Sequence, residues 1–181
     1  MSADPDTPYD QVLMWAFNFA CDTLEPLDAR FPQIGIGRKQ VLFGDLYQAA
    51  VIVATLLRIE QFLGKQDYTR LHAGIIENID ESVRPRYLAS IQDVCRFLLA
   101  GRSGASETDT IPSLHLLSEE SSGHLESSIG LWIASRLAGR EPRLDYELRF
   151  ASAAGNLIYS ENARFIASIF LSDGKRIDRD F

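Results

Sequence analysis

An all-α, single-domain bundle of about six main helices around a buried central helix is the fold class this sequence predicts, and three observations predict it. Apolar residues recur at three- and four-residue spacing through most of the chain. No strand-like alternation of useful length is present, and no repeat at a solenoid period. The run from Ala49 to Leu57 is apolar on every side, which in a water-soluble chain marks a helix enclosed by its neighbours. With 181 residues, 46% of them hydrophobic and 24% charged, one domain over 1–181 can build a core without disulfides or a structural metal.

The first helix opens at Thr7-Pro8-Tyr9-Asp10, which combines a capping hydroxyl, a proline at the first helical position and an acid in the first turn. Its apolar residues cover most of the circumference and leave Gln11, Asn18, Asp22 and Glu25 as a narrow polar strip, so the helix is expected to be largely buried. Pro26 is expected to end it. A surface loop then runs to Lys39, with Pro32, Gly35 and Gly37 in it. Asp45-Leu46-Tyr47-Gln48 reads as a second capping box, preceded by an extra turn at Gln40 to Phe43, and opens the central helix, which Gly64 caps.

A one-faced surface helix is expected over Tyr68 to Ile79, followed by an antiparallel neighbour that starts near Pro85, buries Leu88, Ile91, Cys95, Leu98 and Leu99, and stops at Gly101. The segment from Gly101 to Ser113 is almost free of apolar residues and is expected to be a flexible loop. Leu114, Leu116 and Leu117 suit a short helical piece. Leu125, Ile129, Trp132, Ile133 and Leu137 then mark a further helix, capped by Gly139. From about Pro142 to Ser172 the pattern is one long helix, or two joined by a bend at Gly155, closed by Gly174. Within it, Ala151-Ser152-Ala153-Ala154-Gly155 lacks bulk and invites close approach of another helix.

The formal net charge is −7 and is unevenly placed. Six of the 25 acidic residues, Asp4, Asp6, Asp10, Asp22, Glu25 and Asp28, precede Arg30, the first of the 18 basic ones. That opening segment suits a basic partner, although a solubilising acidic face explains it as well. The overall charge opposes nucleic-acid binding, and Arg136, Arg140, Arg143 and Arg149 are interleaved with Glu141, Asp145 and Glu147 rather than forming a basic stripe. The N-terminus has neither a secretory nor a mitochondrial pattern, and the longest apolar run is about half the length a bilayer requires, so a cytoplasmic protein without membrane contact is expected. Cys21 and Cys95 each lie in an apolar helical pattern and are expected to be buried, reduced thiols.

Three sets of residues are candidates for chemistry. Glu120 and His124 would share one face of a continuous helix, where a carboxylate and an imidazole can move protons or hold a divalent ion. Gly123 lies between them, the spacing does not match a di-iron bundle, and a polar helix start accounts for the same residues. His72, on the apolar face of its helix, would either face a pocket or be a hydrogen-bonded boundary histidine. Gly35-Ile36-Gly37-Arg38-Lys39 ahead of a helix would let backbone amides and two cations hold a phosphate, while a turn with left-handed positions explains the glycines at lower cost. No metal site or cofactor is expected, and no nucleophile motif occurs.

The aromatic residues of the first and last helices, Trp15, Phe17, Phe19, Tyr159, Phe165 and Phe170, exceed what one stripe can bury. They either fill two faces of a bundle or leave some surface for a partner helix or a second copy of the chain. The expected function is therefore a helical protein-interaction module of adaptor, regulator or inhibitor type, acting through helix faces and an acidic surface. The alternative is a helical-bundle enzyme or small-ligand sensor with a pocket lined by Glu120, His124 and His72.

Overall fold

In a computed structural model, the described residues are 8–63, 84–99 and 122–170, with positions 73, 74 and 77. They form five helices and no strand: α1 Pro8–Arg30, α2 Gln40–Leu63, α3 Arg84–Leu99, α4 Ser122–Ala138 and α5 Asp145–Phe170, with a 3-10 turn at Ile36–Lys39. The all-α class holds, with five helices where about six were expected. Of the expected helix over Tyr68 to Ile79 only positions 73, 74 and 77 are described, and all three are helical; the loop from Gly101 to Ser113 and the caps at Thr7, Gly64 and Gly174 lie outside the described residues.

Helix α1 buries Val12, Ala16, Ala20, Thr23 and Leu27, one residue per turn, so its core face is a single stripe rather than most of its circumference. It does not stop at Pro26. That residue is exposed, so the hydrogen bond it cannot donate belongs to the solvent side, and the buried Leu27 and Phe31 carry the chain through one more turn. The Phe31 N–H bonds to the Leu27 carbonyl at 2.9 Å, after which Gly35, at φ +68°, reverses the chain into the 3-10 turn.

Helix α2 follows that turn directly, so Gln40 to Phe43 is its first turn and Asp45 lies inside it. Asp45 is therefore not a cap: its Oδ1 takes a hydrogen bond from Arg86 of α3 at 3.0 Å. From Ala49 to Leu57 every residue is at most 1% exposed, as expected of the central helix, and α2 packs against each of the other four helices. Burial of this kind stabilises by about 2 kcal/mol for each larger aliphatic side chain. With its longer start, the stretch Ile36–Arg58 is long and apolar enough to cross a bilayer by length and composition, and 67% of its 18-residue apolar window is buried within the fold.

Helix α3 buries Ile91, Val94, Cys95 and Leu98 at i, i+3, i+4 and i+7. Helix α4 ends as the sequence predicts: Gly139 takes φ +70°, and the Arg140 N–H reaches back to the Ser135 carbonyl at 3.2 Å, closing the last turn. Helix α5 is continuous from Asp145 to Phe170, with no break at Gly155. The expected close approach occurs there. The partner is α4, and a Cβ on Gly130 would lie 2.7 Å from the Ala151 carbonyl carbon and 3.2 Å from the Gly155 nitrogen. Gly130 and Ala134 on one helix, with Ala151 and Gly155 on the other, each put two small residues four apart on the contact face.

Candidate functional site

The outer face of α1 is set by its inner one. Because Val12, Ala16, Ala20 and Leu27 point to the core, Met14, Phe17 and Cys21, at i, i+3 and i+7, share the opposite side. Met14 is 54% exposed and Phe17 55%, and Cys21 is exposed rather than buried as expected. Asn18, Asp22 and Glu25 are exposed beside them. The flank toward α5 is well packed: Trp15 stacks on Phe165 at 4.3 Å between ring centroids and on Phe19 at 5.3 Å, and Phe19 meets Tyr47 at 5.6 Å. The aromatic surplus thus divides. Trp15, Phe19 and Phe165 pack against the core and Tyr159 is buried, while Phe17 stands in solvent.

Other exposed large apolar residues come in pairs, Val41 with Leu42 at the start of α2 and Leu144 with Leu148 at the start of α5. The α1 face differs from both in its electrostatics. Six acidic side chains and no basic one precede Arg30, and from Arg30 onward the two signs nearly cancel. With Arg30 counted, α1 and the residues before it carry −5 of the chain's net charge of −7.

The glycine-rich turn forms a hollow of about 540 Å³ lined by Gly35, Gly37, Arg38 and Lys39 together with Asp28. Its anion position is taken by the protein itself. The Gly37 N–H donates to Asp28 Oδ1 at 3.0 Å, and a Cβ at position 37 would lie 2.7 Å from the other carboxylate oxygen. Lys39 Nζ donates to the Leu137 carbonyl and so caps the C-terminus of α4, while Arg38 is exposed. These contacts give the residues the geometry of a capped turn. His124 lies in the first turn of α4, which runs through Gly123 without interruption; its side chain, Glu120 and His72 are outside the described residues. Among the described residues, no three His, Cys, Asp or Glu side chains converge to hold a metal ion.

Comparison of the chain with protein-family models, curated proteins and solved structures finds no match.

Several polar contacts that spacing alone did not reveal hold the frame behind the α1 face. Asp93 of α3 accepts from the Trp132 indole N–H at 2.9 Å and from the Arg136 guanidinium. The Arg136 hydrogen bond is the main reason its carboxyl is held below the usual carboxylate range, with Trp132 adding to the effect against the cost of burial. Glu147 is only 4% exposed and closes the N-terminus of α5. It accepts from the backbone N–H groups of Leu144 and Arg143 at 3.0 and 2.8 Å, and from Arg140 at 2.7 Å. The Leu144 N–H first, then Arg140 and the Arg143 N–H, pull its pKa down to about 2. In the core, Asn162 of α5 donates to Thr55 Oγ1 at 2.6 Å, and the Thr55 hydroxyl donates to the Val51 carbonyl at 2.7 Å. Burial pushes the Cys95 thiol up to about 12, which keeps it protonated and unreactive.

Proposed function

We propose that this chain is a protein-interaction module that receives a basic, apolar-faced helix or peptide on the outer face of α1. The observation that carries the reading is the coincidence of Met14 and Phe17, each more than half exposed, with the segment that holds most of the net negative charge. Apolar side chains of this size supply contact area that desolvates on docking, and the flanking acids Asp22 and Glu25 select a cationic partner and speed its encounter. Helix-on-helix docking of this kind uses anchors at i, i+3 and i+7, the spacing of Met14, Phe17 and Cys21. A cytoplasmic setting belongs to the proposal and agrees with two cysteines that are both free.

Cys21 makes the test direct, because it lies on the proposed face while Cys95 is buried. An environment-sensitive fluorophore on Cys21 is titrated with three designed peptides of equal length: a Leu/Lys amphipathic helix, its Leu/Glu counterpart and a Lys/Ser peptide without an apolar face. The Leu/Lys peptide should bind best, its affinity should fall about tenfold or more between low and physiological salt, and the double variant M14S/F17S should lose it. Equal binding of the Leu/Glu peptide, or unchanged binding by M14S/F17S, would overturn the proposal.

A further inference from the structure

A second surface, remote in chemistry from the α1 face, is the groove between the end of α1 and the middle of α5. It is an open groove of about 660 Å³, a volume within the range of small-molecule sites. Arg30 and Arg149 stand in its wall, Ser152 and Asn156 present a hydroxyl and an amide, and Phe31 and Leu157 supply an apolar floor. Although the chain is acidic, no acidic residue lines the groove among the described residues. The parts are held in place. Phe31 meets Phe150 of α5 edge-to-face at 5.6 Å, which ties the end of α1 to α5, and the Arg30 guanidinium lies over the Phe31 ring at 5.3 Å. Arg149, Ser152 and Asn156 follow one another along one side of α5 at helical spacing.

From these features we infer that the groove binds a small organic anion with an apolar body, a phosphate monoester or carboxylate whose charged end meets Arg30 and Arg149 and whose hydrocarbon lies against Phe31 and Leu157. Two guanidinium groups offer several donors in the planar arrangement that carboxylate and phosphate oxygens accept. Among the described residues, Arg30 forms no ion pair and Arg149 pairs only with Asp145, at 2.9 Å, where both side chains are largely exposed. Such an exposed pair is weak and yields to a ligand that brings its own charge. Ser152 and Asn156, both exposed, supply neutral hydrogen bonds that fix the head group without adding repulsion.

The test is titration calorimetry of the whole chain with octyl phosphate, with octanol as the tail alone and with inorganic phosphate as the head group alone. Octyl phosphate should bind one to one, at least about tenfold more tightly than either control. R30A and R149A should each weaken it about tenfold, and D145A, which frees Arg149, should strengthen it by about twofold or more. M14S/F17S should leave it unchanged, which keeps this result separate from that for the α1 face. Circular dichroism melts confirm that the variants, all at exposed positions, remain folded. Octanol binding as well as octyl phosphate, inorganic phosphate binding as well as octyl phosphate, or octyl phosphate binding that survives R30A/R149A, would each overturn the assignment.

Discussion

The backbone of Gly130 in α4 faces Ala151 in α5 so closely that a methyl group at position 130 would fall 1.9 Å from the Ala151 carbonyl oxygen. That obstacle is backbone, which cannot rotate aside as a side-chain tip can. Substituting alanine should therefore destabilise the protein even though alanine favours a helix over glycine by about 1 kcal/mol. G130A is expected to lose about 3 kcal/mol net, because the helices must part to admit it. Urea unfolding followed by circular dichroism measures it, and a neutral or stabilising outcome would show that the two helices do not pack at this distance.

Glu147 should give the molecule an acid-sensitive contribution to stability. Its folded pKa, about 2, lies below its ordinary value of 4.5, so the stabilisation is complete above that ordinary value and is lost as the pH falls toward 2. Wild type should exceed E147Q in urea midpoint at pH 6, and the gap should narrow steadily from about pH 5 downward. A gap that stays constant with pH would mean that the carboxylate charge is not what closes the helix start.

Asp93 ties α3 to α4 through Trp132, whose side chain is fully buried. In D93A the indole N–H loses its acceptor and Arg136 its partner, and the cost is expected to be about 1–3 kcal/mol. Trp132 fluorescence should report the change in the folded state. R136A leaves the indole bond in place and removes only a half-exposed partner, so it should cost less, within about 1 kcal/mol.

Thr55 and Asn162 form a coupled pair in the core. T55V keeps the shape of residue 55 but strands the Asn162 amide, for an expected loss of about 1–3 kcal/mol. The double variant T55V/N162L should recover part of that loss, since neither position then holds a polar group. The coupling is read from a double-mutant cycle, and purely additive losses would mean that the hydrogen bond carries no net stability.

The sequence made the helical class, the central run from Ala49 to Leu57, the Gly139 cap and the close approach around Gly155 legible, because each depends on local spacing or on the stereochemistry of glycine. It misled wherever a tertiary contact outweighs a local signal. Pro26 does not break α1, since the bond it forfeits faces water while Leu27 and Phe31 hold the next turn to the core. Asp45 has the neighbours of a cap, yet Arg86, 41 positions away, claims its carboxylate. Gly35 and Gly37 suggested an anion site, and the chain's own Asp28 supplies the anion.

The α1 face was half legible. Its acidity is plain in the order of residues, but Cys21 reads as core because apolar residues surround it in sequence, and Phe17 reads equally as core or partner surface. Only the stronger stripe through Val12, Ala16, Ala20 and Leu27 decides which side turns inward. Of the Glu120, His124 and His72 set, only the backbone position of His124 falls within the described residues, so that grouping stays an expectation drawn from spacing.

Contact between α2 and all four other helices means that no part of the bundle can come away without uncovering some of it. The amide protons between Ala49 and Leu57 should then exchange with solvent only when the whole structure opens, making this segment the slowest-exchanging part of the chain. Its rate of deuterium uptake would serve as a built-in gauge of global stability, one that reports on a substitution anywhere in the bundle without a denaturant.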